Sequence, residues 1–323
     1  MKDYRKIRES TPFIDLCKDA ALAAEVTVRA QKKIGADAAI IFSDILLILE
    51  PMGLRLEYVK GDGPSISNAL RSKKDVESLR EADPEETLSF VFEAVKQAKK
   101  SLKPDVALIG FAGAPFTLAS YMIEGGAPAP SNDGVSRDFK RTRKFMSADA
   151  GAWRPLMEKI VRQTTRYLNA QIKAGADALQ VFDSWAGTLS AEEYRKYVLP
   201  HTAELFAGIK KGIPVIHFGT GTGKFLDLIR SAGGDVIGVD HRIKLDEAWR
   251  KIGYDRAIQG NLDPKVLLGS FPEIKRETLR ILDEARSRPG HIFNLGHGVL
   301  PQTPEENVTA LVEVVHEYSR NKN

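Results

Sequence analysis

Of the 323 residues only one, Cys17, is a cysteine, which excludes an intrachain disulfide and any metal site built from several thiolates. A lone cysteine fits a reducing compartment. Cys17 closes the apolar helical pattern Phe13-Ile14-Asp15-Leu16-Cys17, and an unpaired cysteine in such a pattern packs as a small hydrophobe. No apolar run approaches the ~20 residues that a membrane span needs, so no membrane partner is expected. The first residues, MKDYRKIRES, are polar and lack the apolar stretch of a secretory signal, and the expected location is cytoplasmic. Basic blocks are missing too. The net charge of +4 is spread along the chain, which argues against nucleic acid as a partner and is compatible with an anionic small molecule. There is no HExxH and no histidine paired with a carboxylate at helical spacing, so metal chemistry has little support. Ser184 is not in a G-x-S-x-G elbow, which removes the usual serine hydrolase signature.

What is present is a repeated strand and helix rhythm. Seven short β-rich runs occur: 38–45, 106–111, 178–182, 214–218, 236–239, 257–259 and 291–295. Between them lie helical patterns such as 86–102, 155–174, 191–211 and 272–286, with apolar residues at three- and four-residue spacing. Strands apolar on both faces are buried on both sides, as in a parallel sheet covered by helices. Each run ends in polar or glycine residues: Ser43-Asp44, Gly113-Ala114-Pro115, Asp183-Ser184-Trp185, Gly219-Thr220-Gly221, Asp240-His241-Arg242, Gly260-Asn261 and Gly296-His297-Gly298. Seven such loops converging on one mouth indicate a TIM-type (β/α)8 barrel, because a doubly wound sheet concentrates its chemistry at one or two switch points. The expectation is one barrel domain over residues 1–323. Eight strands close such a barrel and the run before Ala38 is helical in pattern, so the first strand is expected to be missing from this chain and to precede Met1. Residues 124–138, rich in Gly, Pro, Ser and Asn, read as a long loop, either a lid over the mouth or a solvated surface loop.

Several residues invite chemistry. Asp44 ends an apolar strand, where a carboxylate either caps the next helix or titrates unusually in a functional cleft. Asp183 and Ser184 repeat that arrangement, and one of the two is expected to cap a helix. His297, flanked by Gly296 and Gly298, reads as an accessible imidazole at the mouth, whereas His217 within an apolar strand reads as a core histidine. Tyr121 offers a phenol to a carboxylate or simply packs. The glycine-rich stretch 217–224 matches a phosphate loop poorly and reads as a tight loop at the mouth.

Taken in order, Phe42-Ser43-Asp44-Ile45-Leu46, residues 110–118, Tyr121-Met122-Ile123-Glu124-Gly125-Gly126, Phe182-Asp183-Ser184-Trp185-Ala186-Gly187, residues 259–264 and Asn294-Leu295-Gly296-His297-Gly298 resemble the motifs of the uroporphyrinogen decarboxylase family. The likeness runs from Met1 to the end of the chain. It implies a lyase of heme and porphyrin biosynthesis that converts uroporphyrinogen III to coproporphyrinogen III by removing four acetate carboxyl groups, with no metal or organic cofactor, commonly as a homodimer. It further implies that Asp44 accepts hydrogen bonds from the pyrrole NH groups and stabilises the cation formed on ring protonation. Tyr121, Ser184 and His297 are then substrate-binding residues, and Arg8 resembles a further arginine near the cleft. The family's first strand and its Arg-Gln-Ala-Gly-Arg-Tyr motif, whose two arginines bind substrate carboxylates, have no counterpart here, in line with the strand count. The expectation is therefore that the start was assigned to an internal methionine, the alternative being a truncated product that binds porphyrinogen without turnover. A zinc-dependent methyltransferase of the same superfamily needs His and Cys ligands that one cysteine cannot supply, and a phosphate-binding barrel enzyme has only the 219–223 loop in its favour.

Overall fold

The computed structural model describes residues 1–59, 63–126, 139–148 and 150–320. Three helices, α1 (Lys2–Ser10), α2 (Phe13–Lys18) and α3 (Ala20–Ile34), lead into β1 (Ala38–Ile40). A hairpin of β2 (Leu56–Val59) and β3 (Gly63–Ile66) follows, then α4 (Lys73–Glu77), α5 (Pro84–Thr87) and α6 (Ser89–Ser101). Next come β4 (Ala107–Gly113), α7 (Pro115–Glu124), α8 (Lys140–Ala148), α9 (Ala150–Ala174), β5 (Ala178–Asp183), α10 (Ala191–Tyr197) and α11 (Leu199–Gly208). The chain ends in regular alternation: β6 (Val215–Gly219), α12 (Leu226–Ala232), β7 (Val236–Val239), α13 (Leu245–Ile252), β8 (Ala257–Gln259), α14 (Phe271–Ala285), β9 (His291–Ile292) and α15 (Glu305–Arg320).

Seven strands form one parallel sheet in the order β1-β4-β5-β6-β7-β8-β9, each joined to its neighbour through the helix between them. The sheet is curled. Gln180 on β5 and Gln259 on β8, which are not neighbours, meet at 3.3 Å, and only an inward curl lets them do so. Outside it, α3, α6, α9, α11, α12, α13, α14 and α15 pack each on the next, and α15 returns to α3. Ion pairs fasten that return: Lys33 bonds Glu305, and His316 on α15 meets Asp37 just before β1 at 3.0 Å. The helical ring of a TIM-type barrel is thus complete around seven strands.

Among the described residues no strand pairs with the outer edge of β1 or β9. The consequence shows in exposure: Ile40 on β1 and Ile292 on β9 are 44% and 43% exposed, while other strand residues such as Leu108, Leu179 and Ile237 are fully buried. Unpaired strand edges with exposed isoleucines are positions that an adjoining strand normally covers.

Several element boundaries differ from the sequence expectation for identifiable reasons. The run 38–45 is a strand only to Ile40, because the Phe42 amide turns away to the Thr27 hydroxyl at 2.8 Å. The run 291–295 is a strand only at His291 and Ile292, though Leu295 bridges Leu262 beyond it. The pattern 191–211 divides into α10 and α11 at Val198, with Pro200 in the first turn of α11, where its missing amide is harmless. Pro155, taken as a helix start, lies inside α9 instead. The hairpin of β2 and β3 was not anticipated. Of the loop expected at 124–138, Glu124 ends α7 and Gly125 caps it at φ 89°, a left-handed geometry that suits glycine, while residues 127–138 lie outside the described residues.

Candidate active site

The loops that follow the seven strands begin at the C-terminal edge of the sheet, and several are knitted into a rim. Gly187, after β5, lies so close to the backbone of Thr220 and Gly221, after β6, that a Cβ has no room there. The Gly221 amide donates to the buried Asp240 carboxylate after β7 at 2.8 Å. Asn261, after β8, donates through its side chain to the carbonyls of Asp240 at 2.8 Å and Ile243 at 2.6 Å. The phosphate-loop alternative at 217–224 loses its ground here, since the Gly221 amide that would cradle an anion already holds a carboxylate of the protein itself.

Inside the rim lies an apolar floor. Phe182 is two residues beyond the inward-facing Gln180 and therefore points inward as well. Its ring meets Phe111 of β4 at 5.7 Å and Phe218 of β6 at 5.9 Å, both edge to face.

Asp44 follows β1 at the edge of this mouth. Its Oδ1 accepts the Leu46 amide at 2.7 Å, closing the turn that starts a short 3-10 helix over Leu47–Leu49. Capping and function are therefore not alternatives at this position, because a carboxylate has further acceptor capacity after one such bond. Burial pushes the Asp44 carboxyl above the ordinary carboxylate range, while the Leu46 amide and the Tyr58 hydroxyl pull in the other direction.

Tyr121 lies on α7, half-buried, its ring 5.8 Å from Trp185. Ser184 is half-buried in the turn after β5. His297 is exposed after β9, and its Nδ1 accepts the Gly298 amide at 2.8 Å, which places the proton of a neutral ring on Nε2. Arg8, on α1, donates to the Thr11 carbonyl and stands 5.5 Å over the Phe13 ring. Asp44, Ser184 and His297 thus sit on the segments that follow β1, β5 and β9, and Tyr121 and Arg8 on helices α7 and α1. Cys17 is buried, its thiol pushed up to about 12 by burial, as packing requires. Tyr58 and the phenylalanine floor escape sequence reasoning: the strands of Phe111, Phe182 and Phe218 carry apolar residues on both faces, so the pattern does not separate inner from outer.

Asp183 and His217 lie behind the floor. Asp183 is wholly buried, accepts the Thr117 hydroxyl at 3.0 Å, and is raised by desolvation to about 7. The 3-10 turn over Ala186–Thr188 starts from Trp185 without a side-chain cap, and α10 is capped by Ser190, so neither Asp183 nor Ser184 caps a helix as expected. His217 is fully buried with its ring 4.8 Å from Phe206 of α11, so it faces the helices, and neither ring nitrogen closes a hydrogen bond of full geometry. Burial disfavours the imidazolium and lowers the group from 6.5 to about 4, with weak backbone contacts to Gly233 and Ile229 opposing. A folded value below the unfolded one means that stability is intact above 6.5 and falls as the pH drops toward 4, by roughly 3 kcal/mol in full. Urea titrations of the chain and of His217→Leu across that interval should show the variant losing less stability. Parallel losses would assign the acid sensitivity elsewhere.

Comparisons with known proteins add a second line of observation. The profile of the family described as Uroporphyrinogen decarboxylase (URO-D) matches residues 1–318. A protein of Carboxydothermus hydrogenoformans named uroporphyrinogen decarboxylase is 49% identical over 320 residues, covering 99% of this chain and 89% of that protein. One of Roseiflexus with the same name is 48% identical, covering 99% of this chain and 91% of its own length. Among solved structures, a methyltransferase from Methanosarcina mazei superposes with a TM-score of 0.80 over 97% of this chain and 90% of its own, at 20% identity, a likeness of fold alone.

Proposed function

The chain belongs to the uroporphyrinogen decarboxylase family, carboxy-lyases of porphyrin and heme biosynthesis that act on a small-molecule substrate, and from that premise we propose how its residues divide the work. The observation that carries the assignment is a half-buried carboxylate, Asp44, raised by desolvation beside a mouth floored by Phe111, Phe182 and Phe218. A flat macrocycle rests on the apolar floor, and its pyrrole NH groups donate to Asp44. Protonation of a pyrrole carbon makes the ring cationic. The bond from the acetate methylene to its carboxylate then breaks, its electron pair enters the ring, and CO2 leaves. Protonation of the methylene and loss of the added ring proton leave a methyl group, so each acetate and one proton become methyl and CO2. Asp44 is catalytic because its charge counts most when the ring is positive, in a surrounding where charges are poorly screened by water. Tyr121, Ser184 and His297 bind the acetate and propionate carboxylates as hydrogen-bond donors, and Arg8 adds positive charge at the cleft.

Anaerobic incubation with uroporphyrinogen III, with products separated by carboxylate count, tests the reading. Seven- to four-carboxylate products are expected, and an unchanged substrate pool in the presence of tight binding would favour a porphyrinogen carrier. The working unit is a homodimer in the cytoplasm. Leu268, Phe271 and Val299, exposed on segments that follow β8 and β9, supply apolar surface for such a contact, and light scattering of the same sample measures the mass. Among the described residues no helix is long and apolar enough to cross a membrane.

A further inference from the structure

We infer that Tyr58 is a positioning residue for Asp44: its phenol is the donor that holds the carboxylate in place. The inference rests on the catalytic reading of Asp44. Tyr58 belongs to the unanticipated hairpin, whose β3 is pinned to the end of α7 by the Ile66 amide, which donates to the Gly125 carbonyl at 2.9 Å, and by a bridge between Ser65 and Gly126. Phe13 of α2 packs on the Tyr58 ring at 4.8 Å and on Phe42 at 5.8 Å, fixing the ring beside the strand end that carries Asp44. The Tyr58 hydroxyl is buried, closes no hydrogen bond of full geometry, and faces the Asp44 carboxylate. A buried hydroxyl that closes no bond of its own is driven toward an acceptor, and the acceptor that acts on it here is the Asp44 carboxylate.

The other groups around Asp44 do not do this work. Among the described residues, those whose ionisation it influences are Cys17 on α2, Tyr58 on β2 and Tyr167 on α9. Arg8 on α1 and Tyr121 on α7 stand one group further out, acting on Cys17 and Tyr58 respectively. The thiol is held up to about 12, and both phenols lie above their ordinary 10, so none of the three titrates in the acid range. Besides the Leu46 amide, Tyr58 is the one group that favours the ionised form of Asp44.

The test uses the full chain with carboxyl-13C aspartate, the Asp44 resonance being assigned by its loss in Asp44→Asn. Tyr58→Phe removes one hydroxyl and keeps the ring. Removing a donor to the charged form raises the carboxyl pKa, so the Asp44 midpoint should move up by about one pH unit, the size of a hydrogen bond to a charged group. The acid limb of kcat should move with it while KM holds. Phe13→Leu loosens the same aromatic cluster and keeps the hydroxyl, and should leave the midpoint in place. An unmoved midpoint in Tyr58→Phe, or an equal movement in Phe13→Leu, overturns the inference even where Asp44→Asn is inactive. A moved midpoint beside a fully active Asp44→Asn sustains the coupling of Tyr58 to Asp44 and overturns the catalytic reading of Asp44 instead.

Discussion

Asp44→Asn should lower kcat by roughly 10²- to 10³-fold, leave KM nearly unchanged, and raise the melting temperature at neutral pH. The kinetic half follows from timing. Asparagine still accepts the Leu46 amide through its side-chain oxygen and still offers an acceptor to a pyrrole NH, so ground-state binding survives. What disappears is the negative charge, felt most strongly once the ring has been protonated. The thermal half follows from burial, which raises the Asp44 carboxyl above its ordinary 3.8. A folded value above the unfolded one means that stability is lost as the pH rises through 3.8 toward the folded value, so at neutral pH the native chain carries the desolvation of a buried carboxylate. The asparagine variant does not. The difference in melting temperature should shrink as the pH is lowered through and below 3.8, where the aspartate becomes as neutral as the asparagine in both states. Steady-state kinetics and scanning calorimetry on the two proteins check both halves. Near-normal kcat removes Asp44 from the chemistry, and a lower melting temperature would show that the carboxylate is held by interactions stronger than the burial it suffers. A residue that impairs the fold it belongs to while serving the reaction is what a trade-off between stability and activity looks like at a single position.

The sequence shows the strand positions clearly because seven apolar runs each stop at polar or glycine residues, and that punctuation is local. It also shows Asp44 and His297, since both stand at such stops. Tyr58 is invisible in the same text. In Leu56-Glu57-Tyr58-Val59 nothing local reveals that the ring meets Phe13 from another helix or that Asp44 acts on its hydroxyl. The division of 191–211 into two helices was also obscured, because the apolar spacing continues across Val198 while the backbone there leaves the helical region at φ −121°. The glycines at 219–223 suggested an anion site because glycine-rich sequence says that a backbone is bare without saying what approaches it. The approaching group is Asp240, from a strand later in the chain. The count of seven strands was legible as well, and among the described residues Ile40 and Ile292 stand exposed on the first and last of them.

The largest loss of stability is expected from Gln171→Leu, about 2 to 6 kcal/mol, since two buried backbone groups lose their partner at roughly 1 to 3 kcal/mol each. Gln171, on α9, is fully buried and behaves as a piece of strand. Its Nε2 donates to the Phe111 carbonyl and its Oε1 accepts the Phe111 amide, both at 2.9 Å. The need arises from the length mismatch at this seam: β1 pairs with β4 only as far as Ile40 opposite Ile109, so beyond that point β4 has lost its neighbour. Gly110 makes the approach possible, because a Cβ there would stand 2.5 Å from Gln171 Oε1 and 3.1 Å from Leu179. Gly110→Ala should therefore destabilise through the same contact, and in a Gln171→Ala background, where the obstructed side chain is gone, the added methyl should do much less harm. Urea unfolding of the four proteins of that cycle measures the coupling, and additive effects would mean that Gly110 serves some other purpose. Leucine at 171 is close in volume to glutamine, so the loss reports hydrogen bonds more than packing. Because Phe111 carries the first ring of the cleft floor, a weakened Gln171 contact should also raise KM for a flat substrate, which links the early end of β1 to the surface on which the chemistry takes place.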